Sequence, residues 1–302
     1  MSEVIVVGGG AAGMMAAIAA ADCGHQVTII EKNEKLGKKL FITGKGRCNI
    51  TNDSDVENHL NHVISNPKFM YSAFYSFDSS RMIDFLEQEG LAVKTERGNR
   101  VFPQSDKSSD VLQTLQKALR RRNVTVRLHT KMTGLMIEDH ICKGVKVQSY
   151  HGALETLTAD DVILTTGGLA YPSTGSTGDG HRLLKQAGVA LEPCYPALVP
   201  VETVEEWPIR LQGLSLRNVS LRVERGSHKI YEEQGEMLFT HFGVSGPLVL
   251  SASSLLGRKG AKDCKLHIDL KPALSEEQLD ERLQRDFAAQ KNSMFKNSLG
   301  KL

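Results

Sequence analysis

Three glycines, Gly8, Gly10 and Gly13, form a G-x-G-x-x-G pattern between an apolar segment, residues 4–7, and a run of small residues. In such a pattern Gly8 permits a tight turn, and Gly10 lets the backbone approach a pyrophosphate. Gly13 lets a helix pack closely against a strand. The helix that begins here would offer free amides and its positive dipole end to phosphates. The spacing therefore predicts a strand–turn–helix unit that binds a dinucleotide.

An acid follows the second predicted strand, residues 27–30. Glu31 comes after Gly13 at close to the usual spacing of about 20 residues for an acid that hydrogen-bonds ribose hydroxyls. An acid rather than an arginine favours an adenosine with a free 2′-hydroxyl, hence FAD or NAD rather than NADP. The adjacent Lys32 weakens this inference. A turn that only packs a helix on a sheet would explain Gly13 but not Gly8, Gly10 and Glu31.

A second segment with chemical potential, residues 44–49, has the sequence G-K-G-R-C-N. Gly44 and its neighbour Gly46 can bring backbone amides to an anion, and Arg47 can form paired hydrogen bonds with a phosphate or a flavin carbonyl. Cys48 is either a catalytic thiol activated by this cation or a small residue packed beneath a cofactor. We favour the packing interpretation, because no histidine lies nearby in the sequence.

A third segment, residues 166–181, is rich in small residues and follows a short apolar strand, residues 161–165. Ligands bind at the carboxyl ends of parallel strands, so Thr166, Gly167 and Gly168 are expected to line a cavity. Asp179 can serve either as a helix cap or in catalysis.

One histidine, His241, is the best candidate for proton transfer by residue type, although a single histidine more often has a structural role. The other nine histidines form no H-x-x-x-H or H-x-H pair. We therefore predict no metal site.

Composition limits the class of protein. The 302 residues carry a net charge of +2, with 40% hydrophobic and 24% charged residues, values typical of a globular protein. A charge this small predicts no strong attraction to nucleic acid or to an anionic membrane. Five scattered cysteines favour a reducing cytoplasm, and no apolar run of about 18 residues predicts a transmembrane helix.

The pattern of elements predicts two domains. Residues 35–52 are expected to form a long ordered loop. Helices are expected near 80–89 and 108–122, the second with its N-cap at Ser109 or nearby. An antiparallel meander is expected over 124–158. Clustered prolines and period-two segments after this region place a domain boundary at 193/194, with a strand-rich domain over 194–302. A helix is expected at 275–290, followed by a short basic segment.

Four motifs together resemble the bacterial NAD(P)/FAD-dependent oxidoreductase family, to which aminoacetone oxidase and a flavoprotein of bile-acid dehydroxylation are similar. They are G-G-G-A-A-G-M-M-A-A, K-L-F-I-T-G-K-G-R-C-N-I-T-N, T-T-G-G-L-A-Y-P-S-T-G-S-T-G-D-G and L-F-T-H-F-G-V-S-G-P. The resemblance implies an α/β fold: a three-layer Rossmann-like FAD-binding domain of the glutathione-reductase type, with an inserted β-rich plus helical domain. It also implies that the chain ends within this inserted domain, before a further glycine-rich segment.

The resemblance also implies roles for individual residues. It implies a non-covalent FAD site formed by Gly8, Gly10, Ala11, Ala12, Gly13, Glu31, Lys32, Gly44, Arg47, Cys48, Asn49, Met132, Thr166, Gly167 and Gly168. Met132 would contact adenine through its backbone, and His241 would face the substrate.

The function that these features predict is an FAD-dependent oxidoreductase that transfers a hydride between flavin and a small organic substrate. NAD(P)H or oxygen would be the redox partner. The alternatives are an NAD-dependent dehydrogenase, a tRNA-modifying FAD protein and a non-catalytic flavoprotein remnant. The sequence does not predict the substrate or the oligomeric state.

Overall fold

The computed structural model describes residues 1–290, and the chain divides into two compact units, Met1–Pro193 and Cys194–Leu302. Among residues 1–290, no helix is both long enough and apolar enough to cross a bilayer.

The first unit contains ten strands and seven helices. The strands are β1 (Glu3–Val7), β2 (Gln26–Ile30), β3 (Thr51–Asn52), β4 (Val93–Glu96), β5 (Arg100–Pro103), β6 (Thr125–Arg127), β7 (Thr130–Glu138), β8 (Ile141–Ser149), β9 (Leu154–Thr158) and β10 (Asp161–Leu164). The helices are α1 (Ala11–Asp22), α2 (Lys38–Ile42), α3 (Val56–Asn61), α4 (Tyr71–Ser76), α5 (Ser79–Gln88), α6 (Ser108–Arg121) and α7 (Asp179–Gln186). Three short 3₁₀ turns cover Thr43–Gly46, Pro67–Met70 and Pro172–Thr174.

The centre of this unit is a parallel sheet in the order β10-β1-β2-β6. Successive side chains of a strand point to opposite faces, and β1 follows this rule. Val4 and Val6 pack in one apolar cluster with α1 and α6, whereas Ile5 and Val7 pack in another with β7 and β8. Helices, parallel sheet and antiparallel meander are therefore three layers, as the sequence predicts.

Three local predictions need correction. Residues 35–52 are not mainly loop: Gly37 adopts φ +69° and is followed by α2, whose Leu40 packs on the core. This helix has only five residues, too few to show a helical period. Strand β6 pairs parallel with β2 in the central sheet, so the meander consists of β7, β8 and β9 alone.

The third correction concerns the start of α6. Lys107 occupies the cap position and its side chain makes no capping bond. The hydroxyl of Ser108 instead donates to the carbonyl of Phe41, 2.7 Å away, and so joins α6 to α2.

The second unit contains strands β11 (Val201–Glu202), β12 (Ser215–Arg225), β13 (His228–Thr240), β14 (Gly243–Ser245) and β15 (Cys264–Asp269). Its helices are α8 (Trp207–Arg210), α9 (Pro247–Leu255) and α10 (Glu276–Ala289), with a 3₁₀ turn at Gly257–Lys259. The strands form one antiparallel sheet in the order β11-β14-β13-β12-β15, and α9 packs on it through Leu248, Val249 and Ala252. The expected final helix is α10, and the expected basic segment lies outside the described residues.

Candidate functional site

A cavity of about 710 Å³ lies in the first unit at the carboxyl ends of β1, β2 and β10. Its walls come from the turn after β1, from the segment after β2 and from the loop after β10. This is the crevice in which open parallel sheets bind ligands, and the volume suits an organic cofactor.

The glycine-rich turn forms one wall of the cavity. Gly8 has φ +108°, and a Cβ there would lie 2.5 Å from the carbonyl oxygen of Thr165. A Cβ on Gly13 would lie only 1.8 Å from the carbonyl oxygen of Gly8, whereas a Cβ on Gly10 would meet no atom within 4 Å. Gly8 and Gly13 are therefore required by packing. Gly10 instead leaves open space beside the first turn of α1, which fits a dinucleotide diphosphate.

Glu31 lies beside the glycine-rich turn and is buried, with 7% of its surface exposed. Its Oε2 accepts a hydrogen bond of 2.7 Å from the amide of Gly9, and its Oε1 accepts two from Asn33, at 2.8 and 2.7 Å. A carboxylate offers about four acceptor positions, so capacity for a ribose hydroxyl remains. The carboxylate thus holds the turn in place and also lines the cavity.

Two side chains of the segment after β2 are bonded to the loop after β10. The ammonium of Lys32 lies 2.7 Å from both Asp179 and the hydroxyl of Thr177. The side-chain amide of Asn33 donates to the carbonyl of Thr174 at 3.3 Å. Burial by itself would raise the pKa of Asp179, but the hydrogen bonds from Lys32 and Thr177 outweigh it and lower the pKa to about 2. Asp179 is therefore an ionised tether and not a proton donor near neutral pH.

Arg47, in the segment 44–49, does not have the free guanidinium that the sequence analysis expects for binding a phosphate or a flavin carbonyl. Its guanidinium binds Glu96 at 2.5 Å and Asp106 at 2.6 Å, and it stacks over the ring of Phe102 at 4.1 Å. These bonds raise the pKa of Arg47 and lower the pKa of both carboxyl groups. Arg47 anchors the segment to the β4–β5 hairpin and does not line the cavity.

Cys48 is buried against the core that α1 and α6 share. Burial raises the pKa of its thiol, despite a hydrogen bond with Thr43 that acts in the opposite direction. A neutral, buried thiol agrees with the packing interpretation and not with an activated nucleophile.

The structure brings most of the predicted cofactor residues together. Lining the cavity are Gly8, Gly10, Ala11, Ala12, Glu31, Lys32, Cys48, Asn49, Met132, Thr166 and Gly167. Gly13, Gly44, Arg47 and Gly168 do not line it. His241 lies in the second unit, exposed in the turn between β13 and β14, with its ring against Phe242.

The sequence reasoning did not identify several lining side chains, namely Asn33, Lys38, Lys39, Thr130, Thr174 and Ser176. The signal for the two lysines is the lysine-rich stretch after Glu31, whose sequence by itself predicts only a loop. Among the described residues, no group of three acidic, histidine or cysteine side chains could hold a metal ion.

Comparison with known proteins identifies a family and several relatives of this chain. A family model described as "HI0933-like protein Rossmann domain" matches residues 2–255. The 3-dehydro-bile acid delta(4,6)-reductase of Clostridium scindens is 32% identical over 92% of this chain and 67% of its own length. The ribosomal RNA dihydrouridine synthase of Escherichia coli is 30% identical over 83% of this chain and 60% of its own. The chain thus spans about two thirds of the relatives it matches.

Solved structures agree on the fold. The 3-ketosteroid delta1-dehydrogenase from Sterolibacterium denitrificans superposes with a TM-score of 0.52 at 18% identity, over 72% of this chain and 62% of that one. The predicted FAD-binding Rossmann fold and the FAD-dependent oxidoreductase class are confirmed by these comparisons together. With a family model matched over residues 2–255, the chain belongs to the HI0933-like family.

Proposed function

We propose that the first unit binds FAD without a covalent bond and that the whole protein transfers a hydride between this flavin and a small organic substrate. The observation that carries the proposal is the open space at Gly10, next to the first turn of α1 and in one cavity with Glu31. Packing a helix on a sheet does not require the open space at Gly10, although Glu31 also holds the turn in place. Both are needed for a diphosphate joined to an adenosine.

The residues present fit this cofactor. The amides from Gly10 to Ala12 would hold the diphosphate, Glu31 would accept from the ribose, and the backbone of Met132 would contact adenine. Thr166 and Gly167 would close the opposite wall. The acid at Glu31, with Lys32 already paired to Asp179, supports a cofactor without a 2′-phosphate.

Bound FAD supplies the hydride chemistry that no protein side chain can supply. The chain positions the cofactor and covers it. The hydrogen bonds of Lys32 and Asn33 hold the loop after β10 beside the segment after β2, so that both walls of the cavity are fixed. Cys48 contributes volume, because its raised thiol pKa keeps it neutral. We propose His241 as the group that moves a proton at an imidazole nitrogen when substrate is bound.

The substrate class that we propose is an alkene conjugated to a carbonyl. Three relatives support it by name: a bile-acid delta(4,6)-reductase, a dihydrouridine synthase and, at 25% identity over 63% of this chain, a fumarate reductase of Shewanella frigidimarina. Each of these names denotes reduction of a carbon–carbon double bond conjugated to a carbonyl group. NAD(P)H is the proposed electron donor for this reduction, and oxygen is the proposed electron acceptor if the enzyme instead oxidises its substrate. The five scattered cysteines support a reducing compartment such as the cytoplasm.

Substrate-dependent reoxidation tests the function. Protein with FAD, reduced chemically without oxygen, should regain its absorbance near 450 nm when a cyclic enone is added and not when the saturated ketone is added. A uridine-containing ribosomal RNA fragment tests the second candidate, RNA base reduction, which the dihydrouridine synthase relatives favour. Tight FAD binding without reoxidation by any of these compounds or by oxygen would instead indicate a non-catalytic remnant.

A further inference from the structure

Four lysines line the cavity: Lys131 of β7, and three from the segment after β2 that differ in how their charge is balanced. Lys32 pairs with Asp179 at 2.7 Å, and Lys38 pairs with Glu34 at 3.3 Å. Lys39 has only neutral oxygen partners, the carbonyl of Ala170 at 2.7 Å and the hydroxyl of Ser176 at 2.6 Å. Within residues 1–290 it forms no ion pair, so its positive charge is uncompensated in a ligand cavity.

The position of Lys39 is determined from two sides. The amide of Gly37 donates to the carbonyl of Gly9 at 2.8 Å, so the segment that carries Lys39 is attached directly to the glycine-rich turn. On the other side, a Cβ at Gly167 would lie 4.0 Å from the ammonium nitrogen. The ammonium therefore lies against the wall after β10, on a segment joined to the turn that would receive the diphosphate.

The other charges near the cavity explain why such a cation is useful. Glu31 and Asp179 both line the cavity as carboxylates, and a dinucleotide adds two negative charges from its diphosphate. Backbone amides offer dipoles but no net charge. An ammonium has three donors, of which Lys39 uses two on protein oxygens, so one remains for a ligand.

We propose that Lys39 binds the diphosphate of the dinucleotide as its charge partner, in addition to the amides of the glycine-rich turn. This rests on the proposed function, because it takes the cavity to be the cofactor site. Lys32 and Lys38 do not share this role, since a carboxylate already neutralises each of them.

The test compares a charged ligand with an uncharged one. The affinities of ADP and of adenosine are measured by titration calorimetry on the full chain and on the variants Lys39→Gln and Lys39→Arg. The matched control is Lys35→Gln, since Lys35 belongs to the same segment but is exposed and does not line the cavity. Lys39→Gln should weaken ADP about tenfold or more, leave adenosine unchanged and reduce the salt dependence of ADP binding. Lys39→Arg should restore much of the loss, and Lys35→Gln should behave as the parent protein.

Two results would overturn the inference alone. One is an unchanged ADP affinity in Lys39→Gln while the parent protein binds ADP. The other is an equal loss of ADP and adenosine with a lower melting temperature, which would make Lys39 a structural link between α2 and Ser176. A parent protein that binds neither ADP nor FAD would refute the proposed function, and this inference with it.

Discussion

At the scale of single residues, the two glycines at the start of α1 have separable roles. A Cβ on Gly13 would collide with the carbonyl of Gly8, but one on Gly10 would meet open space at φ −77°. Gly13→Ala should therefore lower the free energy of unfolding by about 1–3 kcal/mol. Gly10→Ala should change it by less than about 0.5 kcal/mol yet weaken FAD binding at least about tenfold.

Urea denaturation and flavin-fluorescence titration measure the two effects in parallel. Each variant is the control for the other, because both add one methyl group to the same turn. If Gly10→Ala bound FAD as the parent does, the open space there would not be the diphosphate site.

The thiol of Cys48 provides a second prediction at this scale. Because burial raises its pKa, little thiolate exists near neutral pH, and the side chain is shielded from reagents. In the native protein, Ellman's reagent should modify the exposed Cys23 within minutes and leave Cys48 unmodified until the chain is unfolded.

Peptide mass spectrometry identifies which cysteine reacted, and Cys23→Ser gives the background from the remaining thiols. Rapid modification of Cys48 in the folded protein, with a dependence on pH below 7, would restore the catalytic-thiol interpretation.

At the scale of elements, the ion pair between Lys32 and Asp179 joins the end of β2 to the start of α7. The pKa of Asp179 is lowered from 3.8 to about 2, so its contribution to stability is complete above 3.8 and is lost as pH falls through about 2. Asp179→Asn should lower the free energy of unfolding by about 1–2 kcal/mol at pH 7, after allowance for partial exposure.

Urea titrations at pH 7, 4 and 3 follow this difference, which should shrink towards the lowest pH. Asp84→Asn is the control, since Asp84 is exposed and forms no ion pair in the described part of the chain. An equal effect of Asp179→Asn at all three pH values would show that charge is not what joins the elements.

The helices and strands could be predicted from the sequence more completely than the contacts between them. β1, α1 and β2 are predicted correctly because the apolar segments, the glycines and the acid all indicate the same local unit. The partners of Arg47 were not predicted, because Glu96 and Asp106 are 49 and 59 residues away. The contacts of Lys39 with Ala170 and Ser176 span more than 130 residues, and no local pattern encodes such a meeting.

At the scale of the whole molecule, the two units are joined by an exposed segment around Pro193. Residues 189–198 have no regular secondary structure, and all ten are exposed. Brief digestion with subtilisin should therefore cut first within about 187–200 and release two fragments that resist further cleavage.

Intact mass spectrometry of the early fragments locates the first cut. First cleavage within β12 or β13, before any cut near Pro193, would contradict the division into two compact units.

The central claim is that the cavity above the glycine-rich turn is a flavin site. The most direct measurement is the absorption spectrum of the purified chain from 300 to 550 nm, before and after FAD is added and the excess is removed by desalting. The account predicts flavin bands that stay with the protein and that Gly10→Ala greatly reduces. A protein fraction without these bands, from a folded chain and with the flavin entirely in the small-molecule fraction, would contradict it.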